Sequence, residues 1–151
     1  MQSFCKNILF LFLAATVVLL VSCKKQGNGA LEVNNISYTS CLNHTDKLAK
    51  QSKSYDHPDS ISVRYENGTA YITHYNLALN CAFEVTGVLV DASVDGSTIT
   101  IDEYIDSNGP IADCICETNN SFQIDNISPG TYTLIFNSCY PEPYSVSCTF
   151  E

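Results

Sequence analysis

From residue 33 onward, short runs of Val, Ile, Thr, Tyr and Phe are broken by Asn, Asp, Gly, Ser and Pro, which is the pattern of strands and turns. Ser60 to Glu66 alternates, with Ile61, Val63 and Tyr65 on one face and Ser62 and Arg64 on the other. Asn67-Gly68 follows with the residue types that a type I′ hairpin turn requires, and Thr69 to Leu79 returns as the partner strand. Phe83 to Val90 is apolar at both parities, which predicts a central strand covered on two sides. Asp95-Gly96 turns that arm into a second hairpin with Ser97 to Ile105. Ser121 to Ile127 and Thr131 to Phe136 are joined by Ser128-Pro129-Gly130, and Ser145 to Phe150 closes the set. Asn43 to Ser54, with Leu48 as its only strong anchor, predicts a loop or one or two helical turns. The expectation is an all-β protein, an antiparallel β-sandwich of seven to eight strands.

The segment Ile127-Ser128-Pro129-Gly130-Thr131-Tyr132-Thr133-Leu134 resembles the strand-turn-strand element of transthyretin-like extracellular sandwich modules. That resemblance implies fold class and nothing about function.

The N-terminus breaks the pattern. Lys6 precedes a run from Ile8 to Leu20 that is apolar except for Thr16, too short to span a bilayer core, which takes about 20 apolar residues in a helix. Residues 1–22 therefore read as a signal peptide. Leu20-Val21-Ser22-Cys23 resembles the lipobox of bacterial lipoproteins. The resemblance implies removal of residues 1–22, acylation of Cys23 with fatty chains such as palmitate, and a membrane anchor. Three acyl chains would hold it effectively permanently, each buried methylene contributing about 0.8 kcal/mol. Residues 23–32, with Lys24-Lys25 and two glycines, read as a flexible tether, and residues 33–151 as the sandwich domain. The whole chain resembles small envelope lipoproteins of gut Gram-negative anaerobes. Lys24-Lys25 after Cys23 implies the outer membrane, facing the periplasm, with surface exposure as the alternative.

An address outside the cytoplasm changes the meaning of the cysteines. With Cys5 in the signal and Cys23 acylated, Cys41, Cys81, Cys114, Cys116, Cys139 and Cys148 remain, an even set that predicts disulfides. Cys114 and Cys116, if extended, project to one side about 7 Å apart and cannot bond each other. Cys139 and Cys148 flank the bend Tyr140-Pro141-Glu142-Pro143-Tyr144 and are expected to pair. That leaves Cys41 and Cys81 for Cys114 and Cys116 in either order. The competing expectation is a zinc-type site formed by His74, Cys81, Cys114 and Cys116, with His44 and Cys41 in reserve.

The chain carries 16 Asp and Glu against 7 Lys and Arg, a net charge of -9. No Lys or Arg follows Arg64. A protein that grips phosphates needs cations to displace counterions, so nucleic acid is excluded as a partner. Asp91, Asp95, Asp102, Glu103, Asp106 and Asp113 offer hard oxygens suited to calcium, but no EF-hand spacing occurs. Asp102 and Glu103 fall on opposite faces of a strand and make no dyad. No Gly-x-Ser-x-Gly elbow accompanies His44, His57 or His74, and His74 reads as a hydrogen-bonded structural residue. Asp59-Ser60-Ile61 resembles an O-glycosylation sequon of exported proteins. The sequence thus points to a lipid-anchored accessory or binding module with no cofactor and no identifiable catalysis. Tyr140 and Tyr144 are its candidate contact residues, and its partner is an envelope protein or a glycan.

Overall fold

A computed structural model of the chain describes residues 28–46, 60–106, 108–138 and 143–151. Two sheets pack face to face. The first has the strand order β1 (Gly29–Leu31), β6 (Leu89–Asp95), β7 (Thr98–Tyr104), β9 (Gly130–Ser138), β10 (Tyr144–Phe150). The second runs β2 (Val33–Tyr38), β8 (Cys114–Ile124), β5 (Thr69–Asn80), β4 (Ser60–Glu66), with β3 (Asn43–Asp46) extending the β2 edge along β8. Eight of these strands have six residues or more. The all-β sandwich is as expected, but it is mixed rather than wholly antiparallel, because β7 and β9 run parallel.

Alternation decides which residues enter the core. Ile99 and Ile101 of β7, Leu134 and Phe136 of β9, Ile72 and Leu77 of β5, and Phe122 and Ile124 of β8 fill the space between the sheets. The outer edges meet through aromatic rings. Tyr65 of β4 stacks on Phe150 of β10 at 4.7 Å, and its hydroxyl donates to the Ile127 carbonyl at 2.8 Å. Tyr132 packs on the same Phe150 at 5.5 Å and donates its hydroxyl to the Ser128 carbonyl at 3.1 Å.

Both hairpins form where expected. Asn67 and Gly68 take φ of 52° and 86°, the left-handed pair that joins β4 to β5 with the right twist, and Gly96 at φ 60° joins β6 to β7. Three local readings are corrected. Phe83 to Thr86 is a single helical turn, α1, not part of a central strand, and Val85 on it is 81% exposed. The chain must cross here from one sheet to the other. Gly87 at φ 84° ends the turn while its N–H bonds back to the Phe83 carbonyl, so the strand starts only at Leu89. Second, Gly29–Leu31, expected in the tether, pairs with β6, so the folded body starts before residue 33. Third, Asn43–Asp46 is a strand rather than a loop or helical turn, because the open edge of β8 supplies a hydrogen-bonding partner; residues 47–54 lie outside the described residues. Among the described residues no helix is long and apolar enough to cross a membrane.

Candidate functional site

Three polar constellations stand out, and burial separates them. The first lies in the core. His74 of β5 and Asn120 of β8 are register partners on the inward face of one sheet, and Glu103 of β7 reaches them from the other. His74 Nδ1 lies 2.5 Å from Glu103 Oε2, and Asn120 Nδ2 donates to Glu103 Oε1 at 2.8 Å. All three are at most 1% exposed. This cluster ties the two layers together and cannot meet a substrate. His74 is the hydrogen-bonded structural histidine expected, whereas Glu103, one of the six candidate calcium ligands, is turned into the core. Its parity with Ile99 and Ile101 was the available signal.

The second constellation is the cysteine cluster. Cys81, directly after β5, is bonded to Cys114 at the start of β8, with Cα atoms 5.6 Å apart. Cys41, between β2 and β3, is bonded to Cys116, with Cα atoms 5.3 Å apart. The two bridges touch, the Cys81 and Cys116 sulfurs lying 3.0 Å apart. One of the two orders left open is therefore realised, and Cys114 and Cys116 take different partners as their extended spacing requires. The zinc-type set is not assembled: His74 is engaged by Glu103, and the sulfurs of Cys81, Cys114 and Cys116 are in disulfides. His44 stands in β3 opposite Cys116 in the register.

Cys139 and Tyr140 lie outside the described residues. Cys148 stands opposite Tyr132 in the β9–β10 ladder, six positions from Ser138, or about 20 Å along the strand. The expected Cys139–Cys148 pair therefore lies outside the described residues at its Cys139 end. Burial raises the Cys148 thiol above its ordinary pKa. Cys23, His57 and Asp59 also lie outside the described residues, while Ser60 opens β4 in an exposed position.

The expected acidic ligands are dispersed among separate partners. Asp91 accepts from the Tyr104 hydroxyl at 2.6 Å, and this bond, with some burial, raises the Tyr104 pKa. Asp102 accepts from Asn137 Nδ2 at 2.9 Å, and Asp106 accepts from the Asn108 N–H at 2.9 Å. Among the described residues no group of three or more His, Cys, Asp or Glu is arranged to hold a metal.

The third constellation is exposed. On the outward face of the β2-β8-β5-β4 sheet, the register lines up Ser37, Ser121, Thr73 and Ser62 in one row across the strands. Gln123, Tyr71 and Arg64 form the next row on one side, with Arg64 3.9 Å over the Tyr71 ring. Asn119 and Tyr75 stand on the other side. Small side chains between taller ones leave an open depression of about 360 Å³, floored by Thr73 and Ser121 and walled by Tyr75 and Asn119, with Ser37, Tyr38 and Thr39 along its β2 side.

Two β-bulges fall at this place. β2 carries an extra residue against β8 between Asn34 and Ser37, and β5 carries one between His74 and Leu77. Asn35 at φ 52° and Asn76 at φ 58° supply the left-handed residues, a conformation asparagine tolerates better than most. Asn119 Oδ1 accepts from the Asn76 N–H at 3.1 Å, and the Asn119 N–H donates to Thr39 Oγ1 at 3.0 Å. Thr73 Oγ1 and Ser121 Oγ share a bond of 2.9 Å. These bonds tie Asn119 to β5 and to Thr39, and the two floor residues to each other. Tyr144, the expected contact residue, is 40% exposed but lies on β10 of the other sheet. Sequence reading missed Tyr75, because outward polar positions on a strand look like ordinary solvated face until the register shows them side by side. No protein-family model, no curated protein and no solved structure matches this chain.

Proposed function

We propose that this protein is a lipid-anchored binding module of a bacterial cell envelope, held through Cys23 at the outer membrane and facing the periplasm, with no enzymatic role. The observation that carries the reading is Leu20-Val21-Ser22-Cys23, placed directly behind the apolar run that starts at Ile8. The two disulfides suit an oxidising compartment. A binding role rather than a catalytic one is supported by where the reactive groups lie. His74 and Glu103 are enclosed, and the open depression is lined by hydroxyl, amide and phenol groups that can donate and accept hydrogen bonds.

The test is expression of the full chain with its own N-terminus in a Gram-negative host, followed by membrane fractionation and intact mass. The expected product partitions into the outer-membrane fraction with the mass of residues 23–151 plus acyl chains, and Cys23→Ala yields no acylated form. An unacylated product starting anywhere other than Cys23 would refute the anchor.

A further inference from the structure

We propose that the depression beside Tyr75 on the outer sheet face is a binding trough for an uncharged carbohydrate chain. The inference deepens the binding-module reading by naming the ligand class and its site. Charge is the first argument. The described residues contain thirteen Asp and Glu and a single cation, Arg64, which is already paired with Glu66 and Tyr71. The outward face of the other sheet carries Asp91, Asp95 and Asp102. The trough is different: its lining holds no carboxylate, guanidinium, ammonium or imidazole. A polyanion would be repelled by the surrounding body, and a cation would find its counter-charges on the other sheet.

Chemical complementarity is the second argument. A sugar ring presents C–H faces and a rim of hydroxyls that both donate and accept. Tyr75, 40% exposed, offers a ring face for the former and a phenol for the latter. Asn119 uses its Oδ1 on the backbone, which leaves its amide N–H groups as donors; Ser37 can donate or accept, and the bonded pair Thr73 and Ser121 keeps acceptor positions and one hydroxyl proton between them.

Construction is the third argument. Two bulges with left-handed asparagines, each a local break in a ladder, fall on the two strands flanking β8 at this one place. Bulges bend a strand and re-aim its side chains, and they recur beside functional sites. Here they set Tyr75 and Asn119 as a wall over a floor of small residues. In β5 the extra residue also lets His74 and Leu77, three positions apart, both face the core, so one bulge serves the packing on one face and the trough on the other.

The test is affinity electrophoresis and calorimetry of the full, acylated chain in a detergent without sugar headgroups, against neutral polysaccharides (glucans, mannans, xylans) and an anionic one, polygalacturonate. At least one neutral polysaccharide is expected to retard and bind the protein. Tyr75→Ala is expected to weaken that binding about tenfold, Tyr75→Phe to retain most of it, and Ser37→Arg, which fills the trough from an exposed edge position, to abolish it. Tyr144→Ala on the other sheet should bind as wild type, and unchanged melting of each variant shows that the fold is intact. Failure of every neutral polysaccharide to bind, equal binding of polygalacturonate, or wild-type binding by both Tyr75→Ala and Ser37→Arg would overturn the proposal. Membrane fractionation of the same preparations reads the anchor separately: Cys23→Ala should lose acylation and keep carbohydrate binding.

Discussion

A carboxylate held between two sheets at 1% exposure has exchanged water for two partners, His74 and Asn120. Desolvation on this scale costs several kcal/mol per ion, and the attraction and hydrogen bonds within the cluster offset it only while every member is present. Removing one partner should therefore be worse than removing both. Glu103→Leu or His74→Leu alone is expected to lose about 3–5 kcal/mol of stability, whereas the double variant should recover a good part of that loss. Urea denaturation of the four proteins, followed by circular dichroism because the chain has no Trp, measures this directly. Additive losses would show that the cluster is not coupled. The cluster was half legible in the sequence. Parity placed His74 with Ile72 and Glu103 with Ile99 and Ile101, but the surrounding carboxylates gave Glu103 the look of a surface residue. What the sequence lacked was the facing of β7 over β5 and β8, which only the packed sheets provide.

At the level of elements, strands whose alternation and turn residues agreed were readable, and those determined by distant contacts were not. Asn67-Gly68 and Asp95-Gly96 each specify a hairpin locally. By contrast, Phe83 to Thr86 becomes a helical turn because the chain leaves one sheet for the other at that point, and β3 exists only because the β8 edge is open to it. The cysteines bridge these two kinds of element. Cys41–Cys116 fastens the junction of β2 and β3 to the inward face of β8 across a separation of 75 residues, and Cys81–Cys114 closes the end of β5 across 33. Each is expected to contribute about 2–4 kcal/mol by restricting the unfolded chain. The longer loop makes Cys41–Cys116 the larger contributor on the entropic account. Peptide mapping without reduction should recover the pairs 41–116 and 81–114. Replacing Cys41 and Cys116 together by Ser should lower the urea midpoint at least as much as replacing Cys81 and Cys114. Recovery of a 41–114 or 81–116 peptide from the native protein would contradict the bridges described here.

For the molecule as a whole, the asymmetry of charge becomes an energetic property of the fold. Thirteen carboxylates against Arg64 alone leave the described body strongly anionic, and several of the acids share one surface, with Asp91 directly opposite Asp102 in the β6–β7 ladder. Like charges directly opposite across strands are destabilising, and a net charge this far from zero works against the compact state. Both effects are carried through solvent, so mobile ions weaken them. The screening length falls from about 30 Å at 0.01 M salt to about 8 Å at 0.15 M, which is from roughly the breadth of a small domain to the distance between neighbouring side chains. The melting temperature should therefore rise as NaCl is raised from 0.01 to 0.3 M, opposite to the behaviour of a protein stabilised by surface ion pairs. Choline chloride should act equally well, since screening does not depend on the identity of the cation. Asp91→Asn should both raise the melting temperature at low salt and shallow its dependence on salt, despite weakening the acceptor for Tyr104, because it removes one charge of the Asp91–Asp102 pair. A flat or falling salt dependence, or an increase given by CaCl₂ at matched ionic strength but not by choline chloride, would mean that specific ion binding rather than self-repulsion governs the acidic face.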